Sequence, residues 1–201
     1  METKQQLADV VVGARGWLHE GWMDGFYPED IPADWLFGFY ANEFNTLLVP
    51  WSLWSESIDA LEEGLEDADD DFHLYLELPE QHQLLPAHLH QITNSVTGLV
   101  NCFGEASAWQ EQVDALGKPL LARLPRDDMA FQCFSEFQSE KEIELVLIDS
   151  ASGIDDLMVM REQLELALQL AGSRLDVIFT DAEPELEAMR NTRMIAELLG
   201  A

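Results

Sequence analysis

Arg15, Arg123 and Arg126, together with Glu77, Asp149 and Asp181, stand at or just beyond the ends of predicted strands. A guanidinium is a planar fork that grips two carboxylate or phosphate oxygens at once, so the chemistry on offer is recognition of a small anion or carboxylate. Glu77 beside an apolar wall would also serve as a general acid or base. The competing reading is internal: Arg15 or Arg123 pairs with Glu77 and neutralises a charge that the fold has buried. Trp17 lies two positions beyond Arg15, and five of the six tryptophans fall within the first 54 residues. They read either as core and lid packing or as an aromatic-walled pocket or partner patch. The ligand-binding candidates are therefore Arg15, Trp17, Glu77, Arg123 and Asp181.

Other reactive side chains lack the spacing that chemistry needs. His88 and His90 are too close for one helix face, and no HExxH or Cys/His pattern accompanies them or His82. The run Asp67-Ala68-Asp69-Asp70-Asp71 lacks the glycine and distal glutamate of a calcium loop and reads as a solvated turn. Cys102 and Cys133 form no CxxC and read as buried free thiols. GxSxG, P-loop and GxGxxG signatures are missing, so neither a metal nor a cofactor is implied.

The elements that must position these residues alternate. Leu7–Ala14 is a short, β-branched strand stopped by glycine; Pro32–Tyr40 opens a helix after a proline; Phe44–Pro50 is the next strand. A helix over Ser55–Leu65, a strand over Phe72–Pro79, a mostly helical stretch over 86–116 and a strand over Lys118–Pro125 follow. The spacing then predicts a helix over Asp128–Gln138, a strand over Ile143–Asp149, an amphipathic helix over Ile154–Ala171, a strand over Leu175–Thr180 and a helix over Pro184–Leu199. Six strands alternating with helices predict a parallel sheet with right-handed crossovers.

Length and charge bound the rest. A chain of 201 residues without a Pro, Gly or Ser-rich linker reads as a single domain, 1–201. Its 39 acidic against 10 basic residues give a net charge of -29, which repels phosphate backbones and anionic lipid. Nucleic acid and membrane surfaces are therefore excluded as partners, while a basic partner protein is compatible. The polar segment Met1–Asp9 is no signal peptide, and the reduced cysteines point to a cytoplasmic location.

Val12-Gly13-Ala14-Arg15-Gly16-Trp17, Phe26-Tyr27-Pro28, the run Pro32–Tyr40 and Phe44-Asn45-Thr46 together resemble the family known as domain of unknown function 72, the YecE-like proteins. The likeness continues through Phe72–Pro79, Pro119–Pro125 and the closing segment Arg190–Leu199. It implies a TIM-barrel-like α/β fold. Because the chain is shorter than the roughly 250 residues of a full barrel, the expectation is an incomplete barrel with about six βα units. The family's site positions are replaced here: Leu48 and Pro50 stand for its Glu and Asn, Glu77 for its Lys, Arg123 for its Gln and Arg15 for its Ser. The resemblance thus implies a shortened, divergent member that binds rather than catalyses. Its open barrel would expose two strand edges for a homodimer to cover. The alternative is a small-molecule enzyme acting on an anionic or carboxylate substrate at the carboxyl ends of the strands.

Overall fold

β-Branched and leucine-rich runs build the strands, as short segments buried on both faces should. In the computed structural model, which describes residues 8–66, 68–139, 142–149 and 156–201, these are β1 (Asp9–Arg15), β2 (Thr46–Val49), β3 (His73–Glu77), β4 (Val96–Asn101), β5 (Leu120–Leu124), β6 (Gln132–Glu136), β7 (Ile143–Ile148) and β8 (Ala171–Phe179). Each pairs with its successor and β8 returns to β1, so the sheet is a closed barrel. The helices are α1 (Leu36–Glu43), the single turn α2 (Trp51–Trp54), α3 (Asp59–Leu65), the single turn α4 (Leu89–Ile92), α5 (Gln110–Leu116), α6 (Leu157–Leu170) and α7 (Leu186–Leu199). No helix among the described residues is long and apolar enough to cross a membrane.

Closure corrects the expectation of an incomplete barrel. It also removes the two unpaired strand edges on which a covering homodimer was predicated. Two strands lie where the sequence predicts helix. The predicted helical stretch 86–116 contains β4 between α4 and α5, and the predicted helix 128–138 contains β6. The sheet is not all parallel either: β6 runs antiparallel to both β5 and β7, while the remaining pairs are parallel. A strand thus follows β5 and another follows β6 directly, whereas the other six strands lead into helices. The predicted segments at 55–65, 72–79, 154–171 and 184–199 hold their type, with Asp156 capping α6 by accepting from the Met158 amide at 2.8 Å. The first residues up to Leu7, Asp67 of the acidic run, and Ile154 and Asp155 of the predicted long helix lie outside the described residues.

Alternation along the strands sorts side chains between two cores. Leu48, Tyr75, Val100, Leu121, Phe134, Leu145, Leu147 and Ile178, drawn from β2 to β8, form a cluster of their own that fills the lumen. Their neighbours in sequence, such as Leu47, Leu74, Leu76, Leu99 and Val177, join the outer core beneath the helices. On β1 the lumenal position at this level is Gly13. A Cβ there would collide with the Thr46 backbone carbonyl, so only glycine lets β1 approach β2. Tyr40 of α1 pins the same junction from outside: its hydroxyl accepts from the Ala14 amide and donates to the Thr46 carbonyl, both at 2.8 Å.

Candidate functional site

Two residues beyond the lumenal apolar layer, the same alternation carries Arg15, Glu77, Cys102 and Arg123 to the carboxyl end of β1, β3, β4 and β5. Arg15 and Glu77 meet. The guanidinium Nε donates to Oε2 at 2.5 Å and Nη2 to Oε1 at 2.9 Å, a two-pronged bridge from β1 to β3 that occupies both carboxylate oxygens. Its environment is uneven, for the Glu77 side chain is 7% exposed and that of Arg15 37%. The bond to Glu77 raises the Arg15 pKa above its ordinary value against the opposing effect of burial. Trp54, fully buried in α2, covers this end of β3 by donating its indole N–H to the Glu77 carbonyl at 3.0 Å.

The β1–β8 side of that rim is tied down as well. Gly16 turns the chain out of β1 at φ 84, a left-handed conformation that glycine adopts without steric cost, and its amide donates to the Leu48 carbonyl. The buried His19 ring then lies between the Gly16 and Ala182 carbonyls, at 3.2 and 3.0 Å, joining the loop after β1 to the loop after β8. Trp22 donates to the Pro184 carbonyl and Glu183 accepts from the Glu20 and Gly21 amides, completing the staple. No sequence pattern marked His19 or Glu183, because their partnership spans the whole chain.

The other candidates separate. Trp17 is buried in the outer core, edge-on to Phe37 at 5.4 Å between centroids, with its carbonyl accepting from the Tyr27 hydroxyl. It is packing rather than a pocket wall. Asp181 stands half-buried in the loop leaving β8. Arg126 pairs with the neighbouring Asp128. Arg123 is exposed and, among the described residues, its side chain has no hydrogen bond or ion pair, although every other arginine pairs with a carboxylate. Cys102, which a mostly helical stretch over 86–116 does not mark as a strand end, follows β4 within electrostatic reach of Glu77, Arg15 and Arg123. Burial foremost, then the Glu77 charge, pushes its thiol up to about 12, with Arg15 and Arg123 pulling the other way. It is a neutral thiol at physiological pH and no thiolate nucleophile.

Two of the histidines singled out by their clustering, His82 and His88, serve the scaffold. His88 donates from Nε2 to the Trp54 carbonyl at 3.0 Å, and His82 lies against the Trp109 ring. Among the described residues, no group of three or more His, Cys, Asp or Glu is placed to hold a metal ion. A second polar cluster closes the opposite end of the lumen. Asp176, 2% exposed, accepts from the Tyr75 hydroxyl at 3.0 Å and lies 2.9 Å from His73 Nδ1 and 3.6 Å from Arg174 Nε. Burial, reinforced by Asp176, raises the Tyr75 pKa far above the phenol range.

A closed α/β barrel with a bridged mouth is thus the class of protein that the fold and site define. Two solved structures share this architecture. A DUF72 family protein from Thermotoga maritima superposes with a TM-score of 0.50 at 12% identity, covering 96% of this chain and 100% of that one. A DUF72 family protein from Enterococcus faecalis gives 0.53 at 8% identity, covering 98% and 100%. The structural neighbours are DUF72 family proteins, in keeping with the resemblance of the opening segment, and the likeness is one of fold. No family model and no curated protein matches the chain by sequence.

Proposed function

We propose that the chain is a binding or interaction domain of TIM-barrel-like descent whose catalytic mouth has become a structural plug. The observation that carries this reading is the Arg15–Glu77 bridge. A general acid or base must reach the proton it moves, and here the lumenal glutamate has both oxygens engaged by one guanidinium while Trp54 covers its strand end. The neighbouring thiol is protonated, so covalent catalysis lacks its nucleophile as well.

A ligand role for anions or carboxylates is supported by Arg123, whose guanidinium has no ion pair among the described residues; the chain as a whole carries a net charge of -29. That charge makes partners with basic surfaces favourable and nucleic acid unfavourable. The test is a turnover screen over chromogenic carboxylic esters, phosphomonoesters and glycosides, comparing the natural chain with Glu77→Gln. Equal, background-level rates are expected. Turnover of any of these substrates that disappears in Glu77→Gln would establish the enzyme reading in place of this one.

A further inference from the structure

Trp35 departs from the pattern of the other tryptophans. Trp17, Trp22, Trp54 and Trp109 are buried and Trp51 is half-buried, whereas Trp35, at the end of the short turn Ala33–Trp35 that leads into α1, is 65% exposed. With Gly38, Phe39 and Asn42 it follows the i, i+3, i+4, i+7 spacing of one helix face. That face fronts a groove of about 380 Å3 against α3. Two glycines shape it. Gly38 leaves open space where a side chain would stand, and Gly64 of α3 lies so close to the Phe37 ring that a Cβ would collide with it. Ile31 and Phe39, both half-buried, supply the apolar wall.

The polar rim of the groove carries one sign. Asp34, beside Trp35, and Glu63, on α3, both line it and both are exposed. Among the described residues neither carboxylate has a hydrogen bond or an ion pair. The Asn42 amide is already engaged, donating to the Gly38 carbonyl at 2.8 Å. An exposed indole and two unpaired carboxylates are what the groove offers.

That combination selects a guanidinium. A planar cation stacks on an indole face, and its edge N–H groups reach carboxylates beside the ring. An ammonium holds its water more strongly and has no flat face to stack, so lysine fits less well. Tryptophan in an apolar groove is also the usual anchor of a protein interface. A second copy of this chain is a poor occupant: it carries the same net charge of -29, and its arginines, Arg123 apart, are paired with carboxylates. We infer that this groove docks an arginine presented by a basic segment of a partner protein, its guanidinium stacked on Trp35 and its N–H groups on Asp34 and Glu63. The inference rests on the reading of the chain as an interaction domain and names the chemistry of the partner. Neither Arg15 nor Glu77 lines the groove, so arginine binding and turnover are independent readouts.

The test follows the Trp35 indole N–H and the Gly38 amide of the intact chain by NMR, at about 150 mM salt, where exposed charges are screened beyond roughly 8 Å. The probe is a capped glycine pentapeptide with one central arginine. Its lysine and citrulline counterparts and guanidinium chloride serve as comparisons. The arginine peptide is expected to shift both signals saturably at millimolar concentrations, the lysine peptide more weakly, and the uncharged citrulline peptide not at all. Trp35→Ala, at an exposed position, and Asp34→Asn/Glu63→Gln, both read at the Gly38 amide, should each weaken the arginine peptide about fivefold or more. The inference is overturned if the arginine peptide shifts neither signal, if the lysine or citrulline peptide binds as well, or if Trp35→Ala binds unchanged. Free guanidinium binding as tightly as the peptide would also overturn it, marking a site for small cations. Arginine binding that persists beside turnover dependent on Glu77 would uphold the groove and remove only the reading of a barrel without catalysis.

Discussion

Glu77 is the residue on which the two readings of the chain divide, and the sequence offers Arg15 or Arg123 as its partner. Predicted strand ends place all three on one rim, which is why an internal pair can be weighed against a ligand site, and the structure selects Arg15. Cys102 was not legible, since its place depends on a strand whose residues carry helical spacing. Its behaviour now gives a pH prediction. The folded thiol titrates near 12, above its ordinary 9.0, so the unfolded chain releases this proton first as pH rises. The stability contributed by the protonated thiol is complete below about pH 9 and is lost as pH climbs towards 12. Cys133, raised to about 11 by burial, adds in the same sense over a shorter span. Urea denaturation as a function of pH should show stability falling above pH 9, with a shallower fall in Cys102→Ala. An equally steep fall in that variant would contradict the assignment.

At the scale of elements, the chain announced most of its strands through β-branched runs and its last two helices through their apolar stripes. β4 and β6 escaped for physical reasons. In β4, Val96-Thr97-Gly98-Leu99-Val100 has residues that suit either period, and only the lumenal packing of Val100 and the pairing with β3 and β5 settle it. In and beside β6, Phe131, Phe134 and Phe137 recur three apart as on a helix, yet Phe134 points into the lumen while Cys133 joins the outer core. Tertiary pairing overrides local spacing. The short chain and six predicted strands point to an open barrel; β4 and β6 bring the count to eight and close it. Closure also makes the β1–β2 junction vulnerable: Gly13→Ala would set a methyl against the Thr46 carbonyl. Separating the strands to relieve it should cost about 3 kcal/mol or more, a magnitude typical of overpacking at a site that cannot yield. The free energy of unfolding, measured with denaturant, checks this. A loss within experimental scatter would mean that β1 and β2 sit farther apart than described here.

Across the whole molecule, the net charge of -29 sets a field that opposes anionic surfaces, and the Arg15–Glu77 bridge ties the mouth of the barrel. The plug joins β1 to β3 over β2, while the loops after β1 and β8 are stapled through His19, Trp22 and Glu183. Such a rim contributes rigidity. Residues retained for catalysis commonly cost stability, whereas residues retained as scaffold supply it. A double-mutant cycle of Arg15→Met and Glu77→Leu, followed by urea denaturation, therefore tests the central claim most directly. Arg15→Met leaves a buried carboxylate without its partner and should lose about 3 kcal/mol; Glu77→Leu, which strands the more exposed partner, should lose less. The double variant, with an apolar pair in place of the ions, should return to within about 1 kcal/mol of the natural chain. Single variants as stable as the natural chain, or more so, would contradict the account, since they would mark the pair as held at a cost for chemistry.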